Sequence, residues 1–215
     1  VLFDLDGTLI DSLTDIANCA NRTLAAFGLG THKIDRFRHF VGDGVTKLLE
    51  RCCAPRKIPA DLREQMMEAF KRDYREHGME STQLYSDINH VLCEIRRAGS
   101  RTGVLSNKPD ALSKQCVERF LPGMIDITLG ESAEVARKPA PDGLLFLLRT
   151  LGLNAGDAVY VGDSHIDVEA AHAAGLRCIG AAWGFRGREE LRQAGADRIV
   201  DHPGELLACL QEMCP

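Results

Sequence analysis

The stretch Val1-Leu2-Phe3-Asp4-Leu5-Asp6-Gly7-Thr8-Leu9 joins a short apolar run to two carboxylates. Its first five residues are mostly apolar, as in the buried strands of a parallel sheet. The Gly7-Thr8 pair then predicts a turn. We therefore expect residue 1 to begin a buried strand, with Asp4 and Asp6 at its carboxyl end.

A helical block of roughly 70 residues follows this strand. In its first helix Ile16, Ala20, Leu24 and Phe27 share one face, and the pattern stops near Gly28. Further helical patterns cover about 45–53 and 62–77, and nothing between residues 13 and 82 has the alternation of a strand. The block is typical of a helical domain inserted after the first strand.

The remainder of the chain alternates strands with helices. The predicted strands are 102–106, 125–129, 158–162, 176–181 and 198–200, and the predicted helices are 87–98, 110–120, 142–151, 166–174 and 203–213. Short links between such elements indicate a parallel sheet covered on both faces. We predict an α/β fold with a Rossmann-like, doubly wound core, formed by 1–12 and 83–215, and a helical cap at 13–82.

Composition excludes several classes of protein. The 215 residues include 26 Lys and Arg against 31 Asp and Glu, a net charge of −5, and 45% are hydrophobic. We expect an ordered globular protein without a nucleic-acid partner or a membrane span. The eight cysteines show no Cys-x-x-Cys spacing, so we expect reduced thiols and a cytoplasmic location.

Polar side chains gather where the predicted strands end. In open parallel sheets, ligands bind beyond the carboxyl ends of the strands, so these groups should face one point. They are Asp4 and Asp6 after the first strand, Ser106-Asn107-Lys108 after the second, Lys138 in a loop, and Asp163 with Asp167 after the fourth.

Four carboxylates at one point repel each other unless they share a cation. An oxygen-only set without Cys or His favours a hard ion, and Mg²⁺ is the usual one where phosphate is handled. Lys138, Ser106 and nearby backbone N–H groups are suited to phosphate oxygens. The set predicts phosphoryl transfer with an aspartate able to attack phosphorus.

These motifs resemble the haloacid dehalogenase-like (HAD) hydrolases. Residues 3–9 resemble the first family signature, 105–108 the second, Lys138-Pro139 the third, and 161–164 with Asp167 the fourth. The four occur in order along the whole chain, and the helical block resembles the small helical cap of the family. Within it, residues 40–44 and Trp183-Gly184-Phe185 are similar to those of phosphatases acting on 2-phosphoglycolate.

The resemblance implies a role for each matched residue. Asp4 would be the nucleophile that forms an aspartyl phosphate, and Asp6 the general acid and base. Mg²⁺ would be held by Asp4, the Asp6 backbone carbonyl and Asp163, with Asp167 orienting Lys138 or metal-bound water. The phosphoryl group of a small phosphorylated metabolite would be bound by Thr8, Ser106, Asn107 and Lys138.

Alternatives remain within this interpretation. A sugar-phosphate mutase resembling β-phosphoglucomutase shares all four motifs, and relatives with this cap include pyrophosphatases. A true dehalogenase lacks the second carboxylate, so Asp6 argues against one, while a phospho-accepting receiver module has no helical cap. Gly42-Asp43-Gly44 is either a turn that begins the next helix or a set of N–H groups that meets a substrate carboxylate. The sequence gives no indication of oligomeric state.

Overall fold

A six-stranded parallel sheet forms the centre of the molecule in a computed structural model that describes residues 1–213. Its strands are β1 (Leu2–Phe3), β4 (Gly103–Pro109), β5 (Ile127–Glu131), β6 (Val159–Gly162), β7 (Arg177–Ala181) and β8 (Arg198–Val200). Their order is β5-β4-β1-β6-β7-β8, and every pairing is parallel. A separate antiparallel pair is formed by β2 (Ile10–Asp11) and β3 (Gln83–Leu84).

Helices cover both faces of the sheet, because neighbouring strand residues bury their side chains on opposite sides. The helices of the core are α4 (Ile88–Arg97), α5 (Asp110–Phe120), α6 (Asp142–Leu151), α7 (His165–Ala173), α8 (Gly187–Ala194) and α9 (Leu206–Met213). Phe3 packs with α4, α5 and α9, whereas Leu2 packs with α6, α7 and α8. The predicted α/β class with a doubly wound sheet is confirmed.

The cap is an all-helical unit between the first two elements of the core sheet. It comprises α1 (Leu13–Ala26), a 3₁₀ turn (Ile34–His39), α2 (Gly44–Cys53) and α3 (Ala60–His77). It has its own apolar core, in which Leu24, Phe37, Leu49 and Met66 are fully buried. The division at residues 12/13 and 82/83 stays a prediction. It is supported by the β2–β3 pair, which brings the two connections between cap and core side by side.

The position of β1 decides where the site lies. It pairs with β4 on one side and β6 on the other, with Phe3 opposite Val104 and Val161. The residues that follow these strands therefore meet at one edge of the sheet. This places Asp4 between the ends of β4 and β6, as the apolar run at residues 1–5 predicts.

The structure differs from the sequence prediction in a few elements. The pair β2–β3, the 3₁₀ turn at Ile34–His39 and helix α8 were not predicted, and β5 lies two residues later than expected. Strands of two residues carry no detectable alternation, and α8 is short and mostly polar, so neither has a strong pattern. The seven described cysteines are free thiols, and none of the helices in residues 1–213 is long and apolar enough to span a membrane.

Candidate active site

Asp4 follows β1 and is fixed through both its backbone and its side chain. Its N–H donates to the Val161 carbonyl at 2.8 Å, which extends the pairing of β1 with β6. Its carboxylate is buried and accepts a hydrogen bond from Lys138 Nζ at 2.6 Å. Burial raises the pKa of Asp4 to about 7, although Lys138 opposes the rise.

Lys138 is the buried cation of the site. Its ammonium donates to Asp4 Oδ1 at 2.6 Å, to Asp167 Oδ1 at 2.6 Å and to the Tyr160 hydroxyl at 2.9 Å, which uses all three of its N–H bonds. Burial alone would lower the pKa of Lys138, but the charges of Asp167 and Asp4 outweigh it and the pKa lies above its ordinary value. The ammonium therefore stays charged throughout the neutral range.

Asp167 belongs to the first turn of α7. Its Oδ2 accepts hydrogen bonds from the N–H of Ser164 at 3.0 Å and from its hydroxyl at 2.7 Å, forming a capping box. Its other oxygen holds Lys138. One carboxylate thus caps the start of a helix and orients the lysine. This arrangement agrees with the role implied for Asp167, which stays a prediction.

Asp163, after β6, is held by the segment Trp183-Gly184-Phe185. The Phe185 N–H donates to Asp163 Oδ2 at 2.6 Å. A Cβ atom at Gly184 would lie 2.3 Å from Asp163 Cβ, and one at Gly7 would lie 2.4 Å from Asp163 Oδ2. Only glycine fits at these two positions, so the backbone packs directly around the carboxylate.

The carboxylates of Asp4, Asp163 and Asp167 form a group suited to a metal ion. One oxygen from each lies within 4.8 Å of the others, and all three residues are buried. Burial, followed by repulsion from Asp167 and Asp4, raises the pKa of Asp163 well above its ordinary value. A divalent cation would offset this cost, and hard oxygen donors suit Mg²⁺. Because Asp167 is already occupied by Lys138 and Ser164, the residues that fit as ligands are Asp4 and Asp163.

Asp6 points to a different set of partners. Its Oδ1 accepts hydrogen bonds from the Ser12 hydroxyl at 2.5 Å and from Lys108 Nζ at 2.8 Å. The same ammonium donates to the Tyr74 hydroxyl of the cap at 2.6 Å. Lys108 belongs to the second sequence motif, but no role was predicted for it. The available signal was a lysine two residues after the predicted strand 102–106, because a buried lysine needs a paired acid.

Of the other three predicted phosphate-binding residues, Ser106 and Asn107 line the pocket and Thr8 does not. Ser106 lines the pocket beside Asp4, and its Oγ accepts from the Lys108 N–H at 3.2 Å. Asn107 also lines the pocket, but its amide bonds to backbone groups. Thr8 is fully buried outside the pocket lining, and its hydroxyl has no hydrogen-bond partner among the described residues.

The cap closes the pocket opposite these groups. Apolar side chains form much of this wall, contributed by Ile16, Val41, Val45, Leu48, Phe70 and Tyr74. Helix α2 begins at Gly44, as the turn interpretation of Gly42-Asp43-Gly44 predicts, and the Asp43 carboxylate pairs with Arg51 at 2.5 Å. Contact of this segment with a substrate carboxylate stays a prediction.

Comparison with known proteins agrees with this geometry. The model of the haloacid dehalogenase-like hydrolase family matches residues 1–181. A phosphoglycolate phosphatase of Aquifex aeolicus is 36% identical over 208 residues, covering 96% of this chain and 94% of that protein. A solved structure from Haemophilus somnus, described as a predicted phosphoglycolate phosphatase, has a TM-score of 0.90 at 27% identity, covering 98% of this chain and 96% of its own. CbbY from Rhodobacter sphaeroides, solved with phosphate, has a TM-score of 0.78 at 29% identity, with 98% and 97% covered.

The motifs, the fold and these relatives agree over nearly the whole chain. The family model covers most of the described residues, and the curated relative extends the match to almost the full length. The chain therefore belongs to the haloacid dehalogenase-like hydrolases and is an enzyme related to their phosphoglycolate phosphatases.

Proposed function

We propose that this enzyme is a Mg²⁺-dependent phosphatase that converts 2-phosphoglycolate to glycolate and phosphate through an aspartyl phosphate. The observation that carries the proposal is the buried carboxylate of Asp4, with Lys138 Nζ 2.6 Å away and Asp163 beside it. A nucleophile that attacks an anionic phosphate needs its own charge and that of the phosphate screened, and this site supplies a fixed ammonium for both.

Asp4 and Asp6 divide the chemistry between them. An oxygen of Asp4 attacks phosphorus, the bond from phosphorus to the glycolate oxygen breaks, and Asp6 gives its proton to that oxygen. Asp6 then takes a proton from water as the water oxygen attacks phosphorus, and the bond to Asp4 breaks to release phosphate. The contacts of Asp6 with Ser12 and Lys108 support this role, because they hold its carboxylate within the pocket and apart from the Asp4–Lys138 pair.

Mg²⁺, held by Asp4 and Asp163 with the Asp6 carbonyl, would supply positive charge for the phosphate oxygens and for Asp4. Ser106, a residue of β4 that lines the pocket, would donate to the phosphoryl group. Thr8 would do so only after its hydroxyl turned from its present buried position. The apolar cap wall excludes water from the reacting atoms, which strengthens every charge interaction among them.

A second buried ammonium supports an anionic leaving group. Both lysines line the pocket, but Lys138 is held by three residues, Asp4, Asp167 and Tyr160, whereas Lys108 is held by two, Asp6 and Tyr74. Burial alone would lower the pKa of Lys108, but Asp6 and Tyr74 outweigh it and the pKa lies well above its ordinary value. A charged lysine beside the proton donor suits a leaving group that carries a carboxylate, as glycolate does. We also propose a cytoplasmic location, which the free cysteines support.

Phosphate release tests the proposal directly. The substrates are 2-phosphoglycolate, pyrophosphate and β-glucose 1-phosphate, each assayed with Mg²⁺ and with EDTA, and the control enzyme is Asp4→Asn. We expect fast release from 2-phosphoglycolate that EDTA and Asp4→Asn both abolish. Near wild-type activity in Asp4→Asn would contradict the mechanism. Release from none of the three would instead favour a mutase, detected as glucose 6-phosphate formed with a bisphosphate activator.

A further inference from the structure

The segment Val41-Gly42-Asp43-Gly44, which we name the cap loop, is attached to the core through its backbone. Arg186 Nη2 donates to the Val41 carbonyl at 2.8 Å, and Asn107 Nδ2 donates to the Gly42 carbonyl at 2.9 Å. Arg137 Nη1 makes a longer contact, 3.5 Å, with the Asp43 carbonyl. Three successive carbonyls of the cap therefore face donors from three separate core segments, namely β4 and the segments around Arg137 and Arg186.

Glycine is required for this backbone path. Gly42 and Gly44 have φ values of +116° and +81°, in the region that side chains disfavour. A Cβ atom at Gly44 would also lie 3.2 Å from the guanidinium of Arg137. The two glycines thus let the cap loop turn its carbonyls toward the core at the mouth of the pocket, which Val41, Gly42 and Gly44 line.

Asn107 has no donor left for a phosphate. Its Nδ2 donates to the carbonyls of Gly42 at 2.9 Å and Lys138 at 3.1 Å, and its Oδ1 accepts from the Lys138 N–H at 2.8 Å. The only remaining capacity is an oxygen lone pair, which repels an anion. The side chain therefore joins the backbone of the Lys138 loop to that of the cap loop.

The charged side chain of Arg186 binds a backbone carbonyl and not a carboxylate. Its side chain is only 9% exposed, and its nearest acid, Glu190, lies 3.9 Å away. The guanidinium instead donates to a cap carbonyl, and a charged donor makes this bond stronger than a neutral one. A mostly buried arginine side chain thus holds the cap loop through its backbone.

We propose that Asn107, Arg186 and Arg137 form a latch that seats the cap loop on the core, and that Asn107 is a positioning residue that couples this seating to the placement of Lys138. Arg186 acts on the cap loop alone, whereas Asn107 acts on both loops. The latch works through the backbone of the cap, so it operates whichever small phosphate the pocket accepts. It does not depend on the substrate proposed above.

Hydrogen–deuterium exchange of the free enzyme tests the latch without reference to activity. We expect Arg186→Met to raise exchange in the cap-loop peptide about three- to tenfold, the effect of one lost hydrogen bond. Asn107→Ala should raise it there and in the peptide that contains Lys138. Arg188→Met is the matched control, because Arg188 is close to Arg186 in the chain but pairs with the exposed Asp201. Unchanged exchange in the peptides of β6 and β8 shows that each variant is folded.

Kinetics provide the second readout. With 2-phosphoglycolate or any other phosphate ester that the enzyme hydrolyses, Arg186→Met should lower kcat/KM about three- to tenfold, and Arg186→Lys should restore part of the loss. Arg188→Met should leave it unchanged. Cap-loop exchange equal to that of wild type in folded Arg186→Met would overturn the latch. An Asn107→Ala variant that loosens the cap loop but leaves the Lys138 peptide unchanged would overturn the coupling.

Discussion

At the scale of single residues, the carboxylate of Asp163 shows how tightly the site is built. The Phe185 N–H binds one of its oxygens, and any side chain at positions 7 and 184 would collide with it. Burial and neighbouring acids nevertheless hold its pKa well above the ordinary value. A carboxylate that stays buried although burial raises its pKa is typical of a functional site, and here a bound cation would offset the cost of burying its charge.

Mg²⁺ should therefore stabilise the folded enzyme. We expect saturating Mg²⁺ to raise the Tm of the wild type by several degrees, because the ion binds only the folded state. Asp163→Asn should remove this rise. Asp157→Asn is the control, since Asp157 precedes β6 at the opposite edge of the sheet and should leave the rise intact. Differential scanning fluorimetry gives the measurement, and an equal Mg²⁺ response in Asp163→Asn would contradict the assignment.

Lys108 should act on the leaving group of the substrate. Two substrates separate this role from its contact with Asp6: 2-phosphoglycolate carries a carboxylate, and ethyl phosphate does not. We expect Lys108→Met to lower kcat/KM for 2-phosphoglycolate about tenfold more than for ethyl phosphate, the value of one charged hydrogen bond. Equal losses on both substrates would mean that Lys108 acts only through Asp6.

At the scale of elements, Asp15 binds together the two chain segments that connect cap and core. Asp15, at the start of α1, is buried and accepts hydrogen bonds from the Ser81 N–H at 2.9 Å, the Thr82 N–H at 2.7 Å and the Thr82 hydroxyl at 2.7 Å. These partners directly precede β3, which pairs with β2. The two chain connections are therefore tied together beside this short ladder.

Removing this acid should destabilise the fold. Asp15→Ala leaves buried N–H donors without acceptors, so we expect a loss of about 3 kcal/mol in the free energy of unfolding. Asp61→Ala, in the first turn of α3 and exposed, should cost well under about 1 kcal/mol. Urea denaturation measures both. If Asp15→Ala lost no more free energy of unfolding than Asp61→Ala, the hydrogen bonds of Asp15 would not stabilise the fold.

The elements also show what a sequence can predict. Apolar runs predicted the strands β1, β4, β6 and β7, because buried parallel strands are hydrophobic on both faces. The motifs at their ends followed from topology, so the sequence predicted that Asp4, Ser106 and Asp163 come together, and all three line one pocket. The pair β2–β3 and helix α8 were missed, because two residues or a short polar helix carry too little pattern. Asn107 and Lys108 have partners in the cap, far along the chain, and no local pattern reveals such contacts.

At the scale of the whole molecule, the site exists because the cap lies against the core. The core supplies Asp4, the proposed nucleophile, with Lys138 beside it and Asp163 as a proposed Mg²⁺ ligand. The cap supplies the apolar wall, and Tyr74 contacts Lys108 beside Asp6. The contact of cap with core therefore places an apolar wall, which would exclude water, beside the groups proposed for phosphoryl transfer. We propose that Asp4 becomes phosphorylated within this pocket.

Trapping of the phosphorylated aspartate tests that claim most directly. In Asp6→Asn with para-nitrophenyl phosphate, the leaving group needs no proton, so Asp4 should still be phosphorylated, while water attack lacks its base. Borohydride reduces an acyl phosphate to an alcohol but leaves a free carboxylate unchanged. We expect one burst of nitrophenolate and peptide mass spectra with homoserine at position 4. A burst with Asp4 unmodified, or with another residue modified, would contradict it.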